Sequence, residues 1–345
     1  MLPPMTSDTS AQPFSVVHAD AAEAGVFDIE RETIEAAGAT LTLTRSSSEG
    51  ELIENLSEAD AVLVGAAPIT RAVVEGMRNC KLLIRYGVGL DTLDIPAATD
   101  HGIVVAHYPD FCQPEVANHA TMMLLASAKK LTALDRAVRD GRWRPGPLSP
   151  MQSIHGQTLG LVAFGNIAQA FAPRAQALGL DVIAFDPYAS DDAFGPLGVE
   201  RVATLDALLR RSDYVSLHTP LTPDTQHLMS TDQFAAMKPI AYLINTSRGP
   251  VVDEAALVVA LESGEIAGAG LDVFEKEPLP QESPLMTMDN VTLAPHSASF
   301  SDYAFDTMKK RIGDTVAELM NGRWPDAVAT VANPTVTPRA SLPAR

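Results

Sequence analysis

The chain is 345 residues long, 46% hydrophobic and 20% charged, a globular composition with enough length for two domains that each bury a core. A formal net charge of −18 offers no basic surface to nucleic acid or to an anionic membrane, and serves solubility. The two cysteines, Cys80 and Cys112, exclude a disulfide scaffold and a cysteine-based zinc site, so no metal is expected and a reducing cytoplasm fits.

Residues 1–12 carry neither the basic n-region nor the apolar h-region of a signal peptide and read as a disordered tail. No apolar run approaches the ~18 residues of a membrane span. From there, short apolar runs alternate with helical spacing. Strands are expected at Phe14–His18, Leu41–Thr44, Ala61–Gly65, Lys81–Ile84 and Ile103–Ala106, with helices near 28–37, 51–57, 70–78 and 92–101. Such alternation builds a parallel sheet with helices on both faces, so residues 13–106 form a doubly wound domain. The loop Arg85-Tyr86-Gly87-Val88-Gly89-Leu90-Asp91 follows a strand, where two glycines can turn backbone N–H groups toward a carboxylate. The same residues also suit a plain tight turn in which Asp91 caps the next helix.

A long helix follows, with Pro114 at its start, Glu115 near its positive end and Leu131 at its close. Met122-Met-Leu-Leu125 makes it apolar on more than one face, which places it between two bodies, either two domains or two subunits. Lys129 to Pro145 reads as a linker.

Thr158-Leu-Gly-Leu-Val-Ala163 is of buried-strand type, Phe164-Gly165-Asn166 is a turn, Ile167–Leu178 is helical, and Asp181–Phe185 is a second strand ending at Asp186. This is the layout of a dinucleotide-binding βαβ unit, in which N–H groups of the turn and helix start, here Phe164 to Ile167, hold a pyrophosphate. An acidic residue about twenty positions on, here Asp186, takes the ribose hydroxyls and would repel a 2′-phosphate, favouring NAD over NADP. Of G-x-G-x-x-G only the central Gly165 remains, with Ala163 and Ala168 flanking it, and Ala163 is expected to make the turn with φ below zero. An ordinary βαβ crossover shares much of this pattern.

Beyond Asp186, strands are expected at Tyr214–His218, Ile240–Ile244, Gly268–Leu271 and Val291–Ala294, with helices at 252–263 and 301–320 and a mobile tail from Pro334. Three polar residues follow strands here: Arg248, Glu277 and His296. An arginine holds a carboxylate or polarises a carbonyl, a histidine moves a proton near neutral pH, and a carboxylate behind it favours the protonated ring. Each has a plainer reading singly: a surface ion pair, a packed histidine, a charge at a helix terminus. Together they are the set that reduces a 2-oxo acid with a hydride donor.

From Asp60 to Asn333 the chain resembles the D-isomer-specific 2-hydroxyacid dehydrogenases. The likeness is carried by Arg85-Tyr-Gly-Val-Gly-Leu-Asp91, the turn after Gly160, His218-Thr-Pro-Leu-Thr-Pro-Asp-Thr225, Ile244-Asn-Thr-Ser-Arg-Gly249, Leu271-Asp-Val-Phe-Glu-Lys-Glu-Pro278 and Pro295-His296. The resemblance implies two doubly wound α/β domains, a Rossmann NAD-binding domain (107–297) inserted in a flavodoxin-like substrate domain (13–106 and 298–333), with 334–345 flexible. It implies His296 as general acid, Glu277 as its support, and Arg248 on the substrate carboxylate and keto oxygen. Val88 and Gly89 would offer N–H groups to that carboxylate, while Arg85, Tyr86 and Gly87 shape the pocket. The dinucleotide site would include Phe164, Gly165, Asn166, Ile167, Asp186, His218, Thr219, Pro220, Thr225, Asn245, Thr246, Ser247 and Asp272, with Arg248 and His296 at its edge. A homodimer, formed with the help of the helix after Pro114, is implied as well.

Departures shape the expectation. Ser297-Ala-Ser-Phe300 replaces the small-residue run usual after the histidine, and Gly65-Ala-Ala-Pro68 lacks an arginine found there in phosphoglycerate dehydrogenases, which disfavours a phosphorylated substrate. Glu277 disfavours formate dehydrogenase chemistry, which needs no proton transfer to a carbonyl. The expected function is NAD(H)-dependent interconversion of a small D-2-hydroxy acid and its 2-oxo acid. The alternative is an NADH-sensing binding protein like the corepressor branch, which His107 to Ala120 also resembles. A complete Arg/Glu/His set weighs against it, because pure binding needs no proton donor.

Overall fold

The computed structural model describes residues 13–21, 26–143, 151 and 153–344. The expected tail over residues 1–12 and the end of the expected linker at Pro145 lie outside them. The chain divides into two compact units, residues 1–111 with 302–345, and residues 112–301.

Unit 1 opens with the alternation read from the sequence. Its strands β1 (Phe14–His18), β2 (Ala39–Leu43), β3 (Ala61–Val64), β4 (Leu82–Arg85) and β5 (Val104–His107) are separated by helices α1 (Asp28–Ala36), α2 (Glu49–Leu56), α3 (Arg71–Gly76) and α4 (Ile95–Asp100). Side-chain oxygens of Ser48, Thr70 and Asp94 accept the first-turn N–H groups of α2, α3 and α4, which fixes where those helices begin.

Unit 2 holds α5 (Gln113–Ala128), α6 (Leu131–Arg139), β6 (Thr158–Val162), α7 (Asn166–Ala177), β7 (Asp181–Phe185), β8 (Glu200–Arg201), α8 (Leu205–Arg211) and β9 (Tyr214–Leu217). It continues through α9 (Thr231–Ala236), β10 (Tyr242–Asn245), α10 (Glu254–Ser263), β11 (Gly268–Leu271) and β12 (Val291–Leu293). The chain then returns to unit 1 with α11 (Asp302–Met320) and β13 (Thr330–Val331).

Each unit is doubly wound. The first sheet has the order β13-β5-β4-β3-β1-β2, parallel except for β13, which runs antiparallel on β5. The second has the order β12-β11-β10-β9-β6-β7-β8 and is parallel throughout. Strands covered on both faces must be apolar on both, and β3, β9, β10 and β11 are buried at every position. Order reverses between β6 and β9, so ligand-binding loops belong at the carboxyl ends around that switch.

Four expectations need correction. Residues 107–111 stay with unit 1, because Tyr108 bonds Thr315 (2.9 Å) and the Phe111 ring sits edge-on to Phe305. Residues 298–301 stay with unit 2, because Asp272 takes the Ala298 N–H (2.9 Å) and Ser301 bonds Glu115 (3.0 Å). The expected linker after Lys129 contains α6, which starts from Lys130 in a left-handed conformation (φ 51°). The tail from Pro334 is tied down: the Arg339 N–H reaches the Gly102 carbonyl (2.8 Å), and its guanidinium reaches the carbonyls of Met77, Arg78 and Cys80. Of the two bodies expected around α5, one is its own unit, where the helix packs on α7, β10 and β11 while Met122 stays 48% exposed.

Candidate active site

In unit 2, strands deliver predicted site residues at or beyond their carboxyl ends. The glycine turn follows β6, Asp186 follows β7, His218 and Thr219 follow β9, Arg248 follows β10, Asp272 follows β11 and His296 follows β12.

The turn after β6 differs from the expectation at one residue. Ala163 adopts φ 70°, the left-handed value a glycine would take, with its N–H on the Phe185 carbonyl (2.8 Å). The turn therefore keeps its shape at a cost of about 1–2 kcal/mol for an L-residue. Gly165 has open space where a Cβ would stand, and no side chain caps α7, so its first-turn N–H groups are left for a ligand. Phe164, expected among the phosphate donors, gives its N–H to Asp186 instead, and its ring is buried and stacks on Phe194.

The Asp186 carboxylate accepts the N–H groups of Phe164, Tyr188 and Ala189 at 2.8–3.0 Å. Partial burial raises its pKa, but those amides and the Arg201 charge outweigh it and hold the group below its ordinary value. A cavity of about 370 Å³ opens beside it, lined by Phe185, Asp186, Pro187, Arg201 and Val202.

Thr219 Oγ1 and Thr246 Oγ1 are buried with no hydrogen-bond partner among the described residues, at the ends of neighbouring strands. Buried hydroxyls are rarely left so unless a ligand or water completes them. These orphaned groups, the open helix terminus and the ionised Asp186 fit a dinucleotide.

Other predicted cofactor residues serve the protein itself. The His218 ring bonds Ser216 (3.0 Å) and lies edge-on to Phe171, and burial pushes its pKa down to about 4. Thr225 donates to the Pro220 carbonyl (2.7 Å) and closes that loop. Asn245 takes the N–H and hydroxyl of Ser247 and donates to the Arg248 carbonyl (2.9 Å), which shapes the arginine's turn.

That turn is brought against the Glu277 loop by Gly249, where a Cβ would fall 1.8 Å from the Phe274 carbonyl oxygen. Glu277 Oε1 accepts the Phe274 N–H (3.0 Å), and Oε2 lies 2.7 Å from His296 Nδ1. An ionised carboxylate only accepts, so Nδ1 carries the proton and Nε2 is the ring nitrogen left for a substrate. Burial raises the Glu277 pKa, but His296, the Phe274 N–H and the Arg248 charge together hold it below the ordinary value. His296 itself sits at φ 52°, with its N–H on the Asp272 carbonyl (2.7 Å). Asp272, fully buried, takes the N–H groups of Ser297 and Ala298 at 2.9 Å, so it anchors the histidine's loop.

In unit 1, the loop after β4 fixes its carbonyls and leaves N–H groups open. The Tyr86 carbonyl accepts from Arg85, and the Val88 carbonyl accepts from His107 Nδ1 (3.0 Å). The N–H groups of Val88 and Gly89 make no hydrogen bond to another described residue.

Three residues with notable partners are not among the predicted site residues. His119 of α5 stands 3.3 Å from Asp272 and helps keep its pKa low against the effect of burial. His227, 48 positions from Glu275, pairs with it at 2.5 Å. Glu30 receives the Tyr86 hydroxyl across 56 positions. No local pattern announces pairs so far apart.

Fold and site define a dinucleotide-dependent α/β oxidoreductase, and the comparisons with known proteins give its family. Residues 121–298 match the NAD-binding domain of the D-isomer-specific 2-hydroxyacid dehydrogenases. The chain is 39% identical to a glyoxylate reductase of Korarchaeum cryptofilum over 81% of its length and 85% of the relative's. It is 35% identical to a D-3-phosphoglycerate dehydrogenase of Methanocaldococcus jannaschii, covering 82% of this chain and 54% of that longer protein. A solved Thermus thermophilus protein superposes with a TM-score of 0.82 at 31% identity, covering 92% of this chain and 100% of that one. The chain belongs to the D-isomer-specific 2-hydroxyacid dehydrogenase family and is a nicotinamide-dependent oxidoreductase acting on CH–OH donors. The NADH-sensing alternative is not favoured by these relatives. Among the described residues no helix is long and apolar enough to cross a membrane.

Proposed function

We propose that the protein reduces a small, unphosphorylated 2-oxo acid to the D-2-hydroxy acid with NADH, and runs the reverse oxidation with NAD, as a cytoplasmic homodimer. NADH supplies the hydride that the carbonyl carbon takes up. The protonated His296 ring gives its Nε2 proton to the carbonyl oxygen and ends neutral, so charge and atoms balance. Glu277 stays ionised and holds the ring through Nδ1. Arg248 takes the substrate carboxylate and polarises the keto oxygen. Within unit 1, the open N–H groups of Val88 and Gly89 are donors for the carboxylate of a 2-oxo acid. Arg85, Tyr86 and Gly87 shape that loop. Gly165, Asn166 and Ile167 meet the pyrophosphate, and Asp186 the ribose, where its charge selects NAD over NADP.

The observation that carries this reading is the 2.7 Å His296–Glu277 pair with the Arg248 charge beside it. A binding protein has no use for a proton donor so supported. The test is a panel of glyoxylate, pyruvate, hydroxypyruvate and longer 2-oxo acids, followed by NADH and NADPH absorbance. Turnover with NADH that Arg248→Ala abolishes, while NADH binding persists, is the expected result. No turnover with any acid, or a preference for NADPH, would overturn the reaction or the cofactor assignment respectively.

A further inference from the structure

Glu30, in the first turn of α1, is fully buried. Its Oε1 accepts the Tyr86 hydroxyl at 2.6 Å, whereas Oε2 has no hydrogen-bond partner among the described residues. The Lys309 ammonium of α11 stands 3.9 Å from Oε2 and gives its own hydrogen bond to the Val26 carbonyl (2.6 Å). On the other side, the His18 ring lies 5.0 Å from that of Tyr86, and burial pushes its pKa down. A carboxylate with one short bond and one distant cation is a costly thing to bury, and an apolar side chain would serve the core better. What it holds explains its presence.

Tyr86 opens the loop that carries the substrate-facing amides. The loop is gripped at the Tyr86 N–H by the Val64 carbonyl (2.8 Å), at the Tyr86 hydroxyl by Glu30, at the Tyr86 carbonyl by Arg85 and at the Val88 carbonyl by His107. Every grip falls on a group other than the Val88 and Gly89 N–H donors. Donors bind an anion tightly only when they already point at it, because otherwise ordering the loop is subtracted from affinity. At 2.6 Å, the bond from the Tyr86 hydroxyl to Glu30 is short enough for that task.

We propose that Glu30 is a positioning residue for substrate recognition: by fixing the Tyr86 hydroxyl it preorganises the Val88 and Gly89 N–H groups for the carboxylate of the 2-oxo acid. This rests on the proposed function, in which those two amides receive the substrate.

The test uses Glu30→Leu, Tyr86→Phe, their combination and Glu30→Gln in the full chain. Either apolar single variant strands a buried polar group, so its Tm falls; the double variant removes both partners, and its Tm recovers. A role in packing alone predicts that substrate affinity recovers with it. Positioning predicts that KM for the best 2-oxo acid stays raised by roughly tenfold in the double variant, with kcat within about threefold of wild type. Calorimetric binding of oxamate to the NADH complex weakens by the same factor, and NADH affinity does not change. Glu30→Gln keeps an acceptor but loses the carboxylate, and is expected to raise KM roughly threefold at an unchanged Tm. A double variant with wild-type KM and oxamate affinity overturns the proposal; should that variant not fold, a wild-type KM in Glu30→Gln does so. If the wild-type protein itself reduces no 2-oxo acid and binds no oxamate, the proposed function falls first and takes this role with it.

Discussion

Two histidines of unit 2 lean on carboxylates of one loop, and the proposed chemistry uses only one of the pairs. His296 meets Glu277 at 2.7 Å and His227 meets Glu275 at 2.5 Å, and each histidine sits in the left-handed region at φ 52°. Their surroundings differ. Glu277 has a backbone donor and the Arg248 charge to keep it ionised, and its histidine follows a parallel strand. Glu275 instead lies beside Glu254, whose pKa is raised by burial and by the Glu275 charge. A short histidine–carboxylate distance therefore does not identify a general acid. What sets the proposed general acid apart is a cation behind its carboxylate and a place at the carboxyl end of the sheet.

The sharpest way to break the contrast is to remove the proposed general acid. His296→Gln should lower kcat by about 10²–10⁴ while NADH still titrates normally by fluorescence; near-normal turnover would end the assignment. Next in size is the anchor beneath it. Asp272 has a depressed pKa, so its stabilisation is complete above the ordinary carboxylate range near pH 4 and is lost as pH falls through the lower folded value. Asp272→Asn should therefore melt well below wild type at pH 7, with the gap narrowing toward pH 3; a gap that does not change with pH would show that the charge is not what anchors the loop. Ala163→Gly, which relieves a left-handed alanine, should raise stability by about 1 kcal/mol, read as a Tm increase of a few degrees. The smallest effect expected is that of His227→Asn, which tolerates the same φ and should leave kcat within about threefold. A loss there as large as that of His296→Gln would dissolve the contrast between the pairs.

Most of what local spacing can encode was legible. The β6–α7–β7 stretch was read nearly to the residue, because buried parallel strands are continuous apolar runs and the helix between them has its own period. The proposed catalytic residues stand out in the sequence because each follows a strand in a characteristic stretch. Helix α6 was missed because it lacks a capping side chain, and β8 and β13, two residues each, are too short to show a period. The backbone of Ala163 was misjudged because steric preference favours negative φ, and the surrounding turn overrides it. Glu30 could not have been found, since nothing near it in the chain distinguishes it from a solvated acid of a helix's first turn.

Unit 2 is one uninterrupted stretch of chain, whereas unit 1 needs α11 and β13 from beyond it. The order of synthesis therefore matters. Unit 2 emerges whole from the ribosome and has all its strands while the outer edge of β5 still lacks β13 and α1 still lacks the helix it packs on. Asn333, buried with its amide on the Ile103 carbonyl and the Val105 N–H, arrives later still. The first domain begun is thus the last completed, and during that wait its unpaired strand edge is where a chaperone or a neighbouring nascent chain would take hold.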